Sequence, residues 1–153
     1  MLDVNIITFS DDLKKIVNEI NHALWDSANE MSVYDVESLA TYLEREGNRF
    51  VTCHDVSSNP PTLLGIASSQ IEIKPYGKEL WLYVDEVDVC SDQRRRGAGK
   101  AIMRKLIEIA HQKGCDEVWL GTEVENVVAN ALYLSLEPDE VTQIVGYTFK
   151  TNE

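Results

Sequence analysis

A glycine- and arginine-rich segment in the middle of the chain has the composition of an anion-binding turn. The segment from Gln93 to Lys100 follows the alternating residues Leu80–Val89 and precedes a helical pattern. Glycine lets a backbone approach a ligand closely with positive φ, and the first amides of a helix have no partners inside it. With three consecutive arginines added, the segment predicts an anion site at a helix start. The alternative is a basic helix start that is only solvated.

The spacing of these glycines excludes two common nucleotide motifs. A Rossmann site requires Gly-x-Gly-x-x-Gly with an acidic residue further on, whereas Gly97 and Gly99 follow Arg94 late in the chain, after several predicted strands. A P-loop requires Gly-x-x-x-x-Gly-Lys-Ser/Thr, which this sequence does not contain. The predicted anion site is therefore of another kind.

A second motif lies downstream of the turn. The segment from Arg94 to Gly99 fits the pattern Arg/Gln-x-x-Gly-x-Gly/Ala, and Asn126, Ala129 and Tyr133 fit Asn-x-x-Ala-x-x-x-Tyr. A predicted helix and strand separate the two motifs. In this combination the sequence resembles the GNAT superfamily of N-acetyltransferases, and the resemblance covers essentially the full chain.

The resemblance implies a fold and a co-substrate. The expected fold is α/β, with a mixed, mostly antiparallel sheet, a central splay and about four flanking helices. The pantetheine arm of acetyl-CoA would lie in the gap where the strand ending at Val89 splays from the strand over Glu117–Thr122. The backbone groups of Val87 and Val89 would pair with this arm. Asn126 and Ala129 would contact the cofactor near the pantetheine, and Tyr133 would lie near the thioester sulfur.

The resemblance also assigns the arginine turn to the pyrophosphate of acetyl-CoA. The residues expected to bind it are Arg94, Arg95, Arg96, Gly97, Ala98, Gly99 and Lys100.

Transfer to an amine requires a base, because an ammonium group has no lone pair with which to attack a thioester. Glu86 occupies the position where family members often have an acid, and it is the first candidate for the base, directly or through water. Asp88 lies on the same side of the strand, and Asp85 and Glu123 are reserves. Tyr133 is the candidate acid that protonates the departing thiolate. Alternatively, the carboxylates only bind a cation or face water, and Tyr133 is a core residue.

Short segments suggest the acceptor. The segments 64–67, 74–76, 82–89 and 146–149 look most like the GNAT-type aminoglycoside 3-N-acetyltransferases, which act in antibiotic resistance. A cationic acceptor also suits a set of acids expected to line a cleft. These are Glu30, Asp35, Glu37, Glu86, Asp88, Glu123 and Glu125. The alternatives are a polyamine, an amino acid, a protein or peptide amine, or a non-catalytic acetyl-CoA-binding module.

Composition and charge narrow the classes of function. The 153 residues are 44% hydrophobic and 26% charged, as in soluble globular domains. A formal net charge of −12 disfavours nucleic-acid binding. The three cysteines are too scattered for a disulfide framework or a zinc site, so we expect no metal. The absence of a signal-like start and of a long apolar stretch favours a cytoplasmic protein without membrane contact.

Hydrophobic periodicity predicts the elements around the turn. We expect a strand, two helices, three strands, a helix, a strand, a helix and a final strand in a single domain over 1–153. Ser10 is expected to cap the first helix, and the second is expected to follow Ser32, with Asp35 as its capping-box partner. The apolar final strand over 141–150 would permit a homodimer. The helix carrying Tyr133 must stop before Pro138 without the usual left-handed cap, because no glycine follows it.

Overall fold

The computed structural model describes residues 1–26 and 32–152, which form five strands and four helices. In chain order these are β1 (Leu2–Ile6), α1 (Leu13–His22), α2 (Val36–Glu44), β2 (Asn48–Asp55), β3 (Thr62–Ile73), β4 (Leu80–Val89), α3 (Ala98–Gln112), β5 (Glu117–Trp119) and α4 (Val127–Leu134). The predicted α/β class and the predicted order of elements through α4 are confirmed.

The five strands form one sheet in the order β1-β2-β3-β4-β5. The first three pairs are antiparallel, and β4 pairs with β5 in parallel after the crossover helix α3. The parallel pairing covers only the three residues Trp81–Tyr83 of β4. The pairing of β4 with β5 therefore ends at Tyr83, in agreement with the central splay that the family resemblance implies.

Helices α1 and α2 cover one face of the sheet. Val17 and Ile20 of α1 and Leu39 of α2 pack with Phe50 and Ile66 of the sheet in a buried cluster. This packing buries the apolar stripe that each helix carries. It also fixes where the segment before α2 reaches the sheet, next to the carboxylates described below.

Two predictions about helix starts are wrong in detail. Asp12 caps α1, because its carboxylate accepts the Lys15 amide at 3.1 Å. Ser10 instead hydrogen-bonds to Thr8, whose amide also donates to Asp11, in the turn before the helix.

The start of α2 differs in the same way. Asp35 is itself the N-cap of α2 and accepts the Ser38 amide at 2.8 Å. It is not the capping-box partner of a cap at Ser32, because the helix begins only at Val36. Both predicted helices nevertheless exist.

Helix α3 covers the other face of the sheet. Ile102 and Leu106 are fully buried, and Ile109 is nearly so. A Cβ at Gly65 of β3 would lie 3.0 Å from Ile102 Cδ1 and 2.7 Å from the backbone oxygen of Asp88. Gly65 thus permits a close approach between β3, β4 and α3, which a larger residue would prevent.

The chain forms two compact units, Met1–Leu120 and Gly121–Glu153. The sheet and α1–α3 belong to the first unit, and α4 belongs to the second. The prediction of a single domain over 1–153 stays a prediction.

The end of the second unit differs from the sequence prediction. Residues 138–152 have no regular secondary structure, so the predicted strand over 141–150 is wrong. A strand is held by hydrogen bonds to a neighbouring strand, and the described part of this unit contains no strand that could be its partner. Helix α4 ends at Leu134, and its C-cap Ser135 is right-handed, so the helix stops before Pro138 without the usual left-handed cap, as predicted. A left-handed conformation occurs two residues after the cap, at Glu137, with φ 56°.

Candidate active site

A β-bulge in β4 decides which way its acidic residues face. Ser69 pairs with Val84 and Ser68 pairs with Glu86, so Asp85 is an extra residue without a cross-strand partner. In a regular strand Val84 and Glu86 would share a face, but an inserted residue reverses the alternation beyond it. Val84 therefore faces α3, whereas Glu86 faces the side of α1 and α2.

Asp88 lies on the same face as Glu86. Beyond the bulge, alternation brings Glu86, Asp88 and Cys90 to one side, and Cys90 belongs to the core that α1 and α2 cover. The two carboxylates are two residues apart, which corresponds to about 7 Å along a strand. This arrangement agrees with the orientation predicted for the two acids.

A cavity of about 600 Å³ opens beside these carboxylates. Three acids and three aromatic rings contribute its most distinctive chemistry. They are Asp35, Asp85, Glu86, Tyr34, Tyr42 and Phe50. Aromatic faces attract ammonium groups, and carboxylates form charge-assisted hydrogen bonds with them. The cavity therefore suits a small cationic ligand in size and in chemistry.

Asn21 of α1 fixes the backbone of Tyr34 at the edge of the cavity. The side-chain amide of Asn21 donates to the Tyr34 carbonyl at 2.8 Å and accepts the Tyr34 N–H at 2.9 Å. The ring of Tyr34 packs against Phe50, with ring centroids 5.9 Å apart. Two hydrogen bonds and one ring contact thus hold this aromatic residue in place.

The hydroxyl of Tyr42 is occupied by the backbone of β3. It donates to the Ser69 carbonyl at 2.8 Å and accepts the Ser69 N–H at 3.1 Å, next to the bulge. Burial, the main cause, raises the pKa of Tyr42 to about 12. Tyr42 therefore supports the wall of the cavity as a neutral phenol.

Desolvation and like charge raise the pKa values of two groups on this face. Burial, followed by repulsion from the Glu86 carboxylate, raises the pKa of Asp88 to about 6. Burial and then the charges of Glu86 and Asp88 raise the pKa of Tyr34 to about 12. Asp35 behaves differently, because hydrogen bonds from Ser38 lower its pKa and keep it an anionic helix cap.

The edge of β4 opposite β3 has no partner strand in the first unit beyond Tyr83. The amide of Cys90 donates to the Leu64 carbonyl of β3 at 2.8 Å. Backbone direction alternates along a strand, so Val87 and Val89 direct their N–H and C=O groups away from β3. These are the two residues predicted to pair with the pantetheine arm.

The N-terminus of α3 lacks the side-chain cap that the other described helices have. Asp12, Asp35 and Asn126 cap α1, α2 and α4, whereas Gly97 stands at the N-cap of α3. The first hydrogen bond within the helix runs from Ala101 to the Gly97 carbonyl. The amides of the three residues between them therefore have no partner within the helix and can bind an anion.

The backbone of the turn takes left-handed conformations at two positions. Gly97 has φ 82° and Arg95 has φ 63°. The next two residues, Ala98 and Gly99, are buried. Glycine at 97 thus satisfies a conformational requirement that other residues meet only with strain.

Two of the turn's cations already have acidic partners. Arg94 contacts Asp26 at 2.8 Å, and Arg96 donates to Asp55 at the end of β2. Within residues 1–26 and 32–152, neither Arg95 nor Lys100 takes part in an ion pair. The four predicted phosphate-binding cations are therefore not equivalent.

The second motif lies in the second unit. Asn126 is the N-cap of α4, and its side-chain oxygen accepts the Ala129 amide at 3.1 Å. This hydrogen bond explains the spacing of Asn126 and Ala129 by helix capping alone. Tyr133 lies one turn further along α4, and Glu123 lies in the loop before the helix. The roles predicted for these residues stay predictions.

The remaining predicted acids have different positions. Glu30 lies outside the described residues. Glu37 lies in the first turn of α2, and Glu125 lies in the loop before α4. Of the seven acids expected in a cleft, Asp35 and Glu86 line the cavity, and Asp88 lies on the same sheet face as Glu86.

Cys90 is a buried core residue. Its thiol donates to the Leu63 carbonyl at 3.4 Å, and burial raises its pKa to about 12. A thiol in this state is a poor nucleophile.

No helix within residues 1–26 and 32–152 has both the length and the apolarity that a membrane span needs. In the same residues, no group of His, Cys, Asp and Glu side chains could hold a metal ion.

Comparison with known proteins decides the family. Residues 15–136 match the acetyltransferase (GNAT) family. The chain belongs to this family. Acetyl-CoA is the acyl donor of GNAT acetyltransferases, so the predicted acyltransferase chemistry and co-substrate agree with the family.

The sequence similarity to a curated GNAT relative is partial. A thialysine N-epsilon-acetyltransferase from Bos taurus is 30% identical over 66 residues, which are 43% of this chain and 39% of that protein. The match thus spans well under half of the relative's length.

Solved structures share the GNAT fold. The aminoglycoside acetyltransferase meta-AAC0020 from an uncultured soil metagenomic sample, in complex with trehalose, has a TM-score of 0.83 at 21% identity, with 99% of this chain and 97% of that chain covered. The same protein in complex with sisomicin has a TM-score of 0.82 at 19% identity. A ribosomal-protein-alanine N-acetyltransferase from Brucella melitensis gives 0.72 at 16%, covering 97% and 98%.

Several residues of this GNAT site were not found from the sequence. The bulge at Asp85 could have been found, because the apolar residues of β4 occupy even positions before it (82 and 84) and odd positions after it (87 and 89). Nothing in the sequence places Tyr34, Tyr42 and Phe50 at a cavity, since an aromatic residue in the core and one that lines a cavity have the same local sequence pattern. Asp55 was missed because its contact to Arg96 joins residues far apart in the chain.

Proposed function

We propose that this protein transfers the acetyl group of acetyl-CoA to a primary amine of a cationic small molecule. The observation that carries the proposal is the bulged strand β4. One edge of it is open within the first unit, its end leads to the uncapped start of α3, and one of its faces presents carboxylates beside an aromatic cavity. A donor at the edge and an acceptor on the face would meet at the same strand.

Acetyl-CoA would bind along the open edge of β4. The outward backbone groups of Val87 and Val89 suit the amides of a pantetheine arm, as in the addition of a strand. The free amides at the start of α3, with Arg95 and Lys100, suit a pyrophosphate. Asn126, Ala129 and Tyr133 are proposed as further contacts, on the strength of the family motif.

The reaction would be a direct transfer. The amine nitrogen attacks the thioester carbonyl carbon, the C–S bond breaks, and the amine loses one proton while the thiolate gains one. Glu86 is proposed as the base, directly or through water, because it is exposed at the cavity. The pKa of Asp88, about 6, also makes that carboxylate a better proton acceptor than an ordinary one. Tyr133 is proposed as the acid that protonates the thiolate.

An aminoglycoside is the proposed acceptor, modified at its 3-N amine. The cavity combines acids and aromatic rings, which suits a polycationic sugar. The meta-AAC0020 aminoglycoside acetyltransferase shares the fold. Action in the cytoplasm, a role in antibiotic resistance and homodimerisation are part of the same proposal.

An amino acid with a side-chain amine is the second candidate. The relative from Bos taurus is a thialysine N-epsilon-acetyltransferase, and it is similar to this chain in sequence. Thialysine carries two ammonium groups and one carboxylate, and the acid-lined cavity would attract the ammonium groups but repel the carboxylate, which an aminoglycoside lacks. The cavity therefore favours the polycation.

A thiol-release assay across an amine panel separates these acceptors. The panel contains aminoglycosides, polyamines, thialysine and basic peptides, each with acetyl-CoA. Release with aminoglycosides supports the first proposal, whereas release with thialysine or peptides alone contradicts it. Tight acetyl-CoA binding without release from any amine would indicate a non-catalytic binding module.

Substitution of the proposed base tests the chemistry. We expect Glu86→Gln to lower kcat about 100-fold, the usual contribution of a general base, with little change in the KM for acetyl-CoA. Tyr133→Phe is expected to lower kcat by a smaller factor. Lys14→Gln, an exposed change on α1, is the control. Full activity in both site variants would contradict the assignment of roles.

A further inference from the structure

Two aspartates outside the family motif contact the arginine turn. Asp26 contacts Arg94 and Asp55 contacts Arg96, on either side of Arg95 in the sequence. We propose that Asp26 and Asp55 are positioning residues for the donor. They hold the two flanking arginines so that Arg95, Lys100 and the free amides of α3 face the pyrophosphate of acetyl-CoA. This inference rests on the proposed function.

Asp55 is built into the end of β2. Its side chain is 9% exposed, against 37% for Arg96. The hydroxyl of Ser57 donates to it at 2.6 Å and the Ser57 amide at 2.9 Å, and these hydrogen bonds hold its pKa well below the usual range. A buried and oriented carboxylate that is ionised at neutral pH can fix the guanidinium of Arg96 in one direction.

Asp26 is attached to the turn by the backbone as well as by charge. The carboxylate of Asp26 contacts Arg94 at 2.8 Å. Two residues earlier, the Leu24 carbonyl accepts the Ser91 amide at 2.8 Å, which ties this segment to the chain that enters the turn. The segment 24–26 therefore contacts the chain both before the turn and within it.

The conformation of Arg95 shows why such contacts matter. Its φ of 63° is left-handed, a conformation that a non-glycine residue holds only when its surroundings impose it. The ion pairs on Arg94 and Arg96 hold the residues on both sides of it. Without them, the turn would relax and the free amides of α3 would no longer converge on one point.

The sign of the effect separates positioning from charge. Asp55 and Asp26 are anions beside an anion site, so by charge alone their removal would strengthen acetyl-CoA binding. A positioning role predicts the opposite. It also predicts that only ligands with a pyrophosphate are affected, because the pantetheine arm binds elsewhere, along β4.

The test compares two donors across matched variants. Acetyl-CoA binding is measured by titration calorimetry, and binding of S-acetylpantetheine, which ends before the pyrophosphate, by ligand-observed NMR. The variants are Asp55→Asn and Asp26→Asn. The control is Glu72→Gln, which removes the acid of an ion pair with Arg45 that lies outside the turn.

We expect the Kd for acetyl-CoA to rise about tenfold in Asp55→Asn, as for the loss of one charged hydrogen bond, and less in Asp26→Asn. Binding of S-acetylpantetheine and all binding by the control should not change. If Asp55→Asn does not fold, Arg96→Lys replaces it, because lysine keeps the charge without the planar fork.

Three results would overturn the inference. Unchanged or tighter acetyl-CoA binding in the variants would show that the aspartates do not position the turn. Equal losses for both donors would indicate a general structural role. No acetyl-CoA binding by the wild type would instead overturn the proposed function, and the inference with it.

Discussion

At the scale of single residues, Glu86 and Asp88 have different surroundings although they share one face of β4. Glu86 is exposed and lines the cavity, whereas Asp88 is partly buried and its pKa is raised to about 6. The cause is mainly desolvation, with a contribution from the charge of Glu86. Glu86 is therefore accessible to the proposed acceptor, and Asp88 makes the same face more negative once it ionises.

The titration of Asp88 links folding stability to pH. Its pKa is about 6 in the folded protein and about 3.9 in an unfolded chain, so between these values only the folded state keeps the proton. Stability from this group is therefore present at low pH and is lost as pH rises from about 4 to about 6. Solvent screening of the partly exposed carboxyl limits the effect to about 1 kcal/mol.

We therefore expect the stability of Asp88→Asn, relative to the wild type, to be greater at pH ~7.5 than at pH ~4.5. Urea denaturation at both pH values measures the difference in unfolding free energy. Glu72→Gln, on an exposed part of β3, controls for general charge effects. The same stability difference at both pH values would contradict the raised pKa.

Asn21 gives a second prediction at this scale. Its side chain makes two hydrogen bonds to the backbone of Tyr34 at the cavity edge. We expect Asn21→Ala to raise the KM for the amine about fivefold, since two hydrogen bonds of about 1 kcal/mol hold Tyr34, and to leave the KM for acetyl-CoA unchanged. Asn18→Ala, an exposed change on the same helix, is the control. Equal changes in both KM values would refute a role limited to the acceptor side.

At the scale of elements, close approach of β3, β4 and α3 depends on Gly65. A Cβ there would lie 2.7 Å from the Asp88 backbone oxygen and 3.0 Å from Ile102. We expect Gly65→Ala to lower the free energy of unfolding by about 2 kcal/mol through overpacking, measured by thermal or urea denaturation. Ser68→Ala, on the other face of β3, is the control. Unchanged stability would show that the sheet adapts to the added methyl.

The elements also show what the sequence could and could not predict. Strand β4 was predicted with its observed bounds, and α3 was predicted to follow the arginine turn, because strong periodicity, glycine and the arginine run mark them. The cap of α1 was misassigned because Ser10, Asp11 and Asp12 are all good caps locally. The contact of Thr8 with Ser10 and Asp11 decides among them.

The final strand failed for a different reason. The residues from Val141 to Phe149 alternate like a strand, but a strand exists only where a partner offers its hydrogen bonds. Sequence pattern reports the preference of a segment and not the presence of its partner. The cavity was missed for a related reason, since the contacts of Tyr34 and Tyr42 join residues that are distant in sequence.

At the scale of the whole molecule, an acidic chain carries one compact cationic turn. The net charge is −12, yet four cations lie within the segment from Arg94 to Lys100. The acid-lined cavity suits the proposed cationic acceptor, and the turn suits the anionic donor. The first unit thus has carboxylates on one face of β4 and a cationic turn between the end of β4 and α3.

The most direct measurement of this account follows the acetyl group itself. Acetyl-CoA labelled with carbon-13 at the thioester carbonyl is incubated with an aminoglycoside, and NMR follows the conversion of thioester to amide. We predict an amide signal that grows as fast as free thiol appears, and about 100-fold more slowly with Glu86→Gln. Thiol release without an amide, or a thioester signal that persists with every amine offered, would contradict the account.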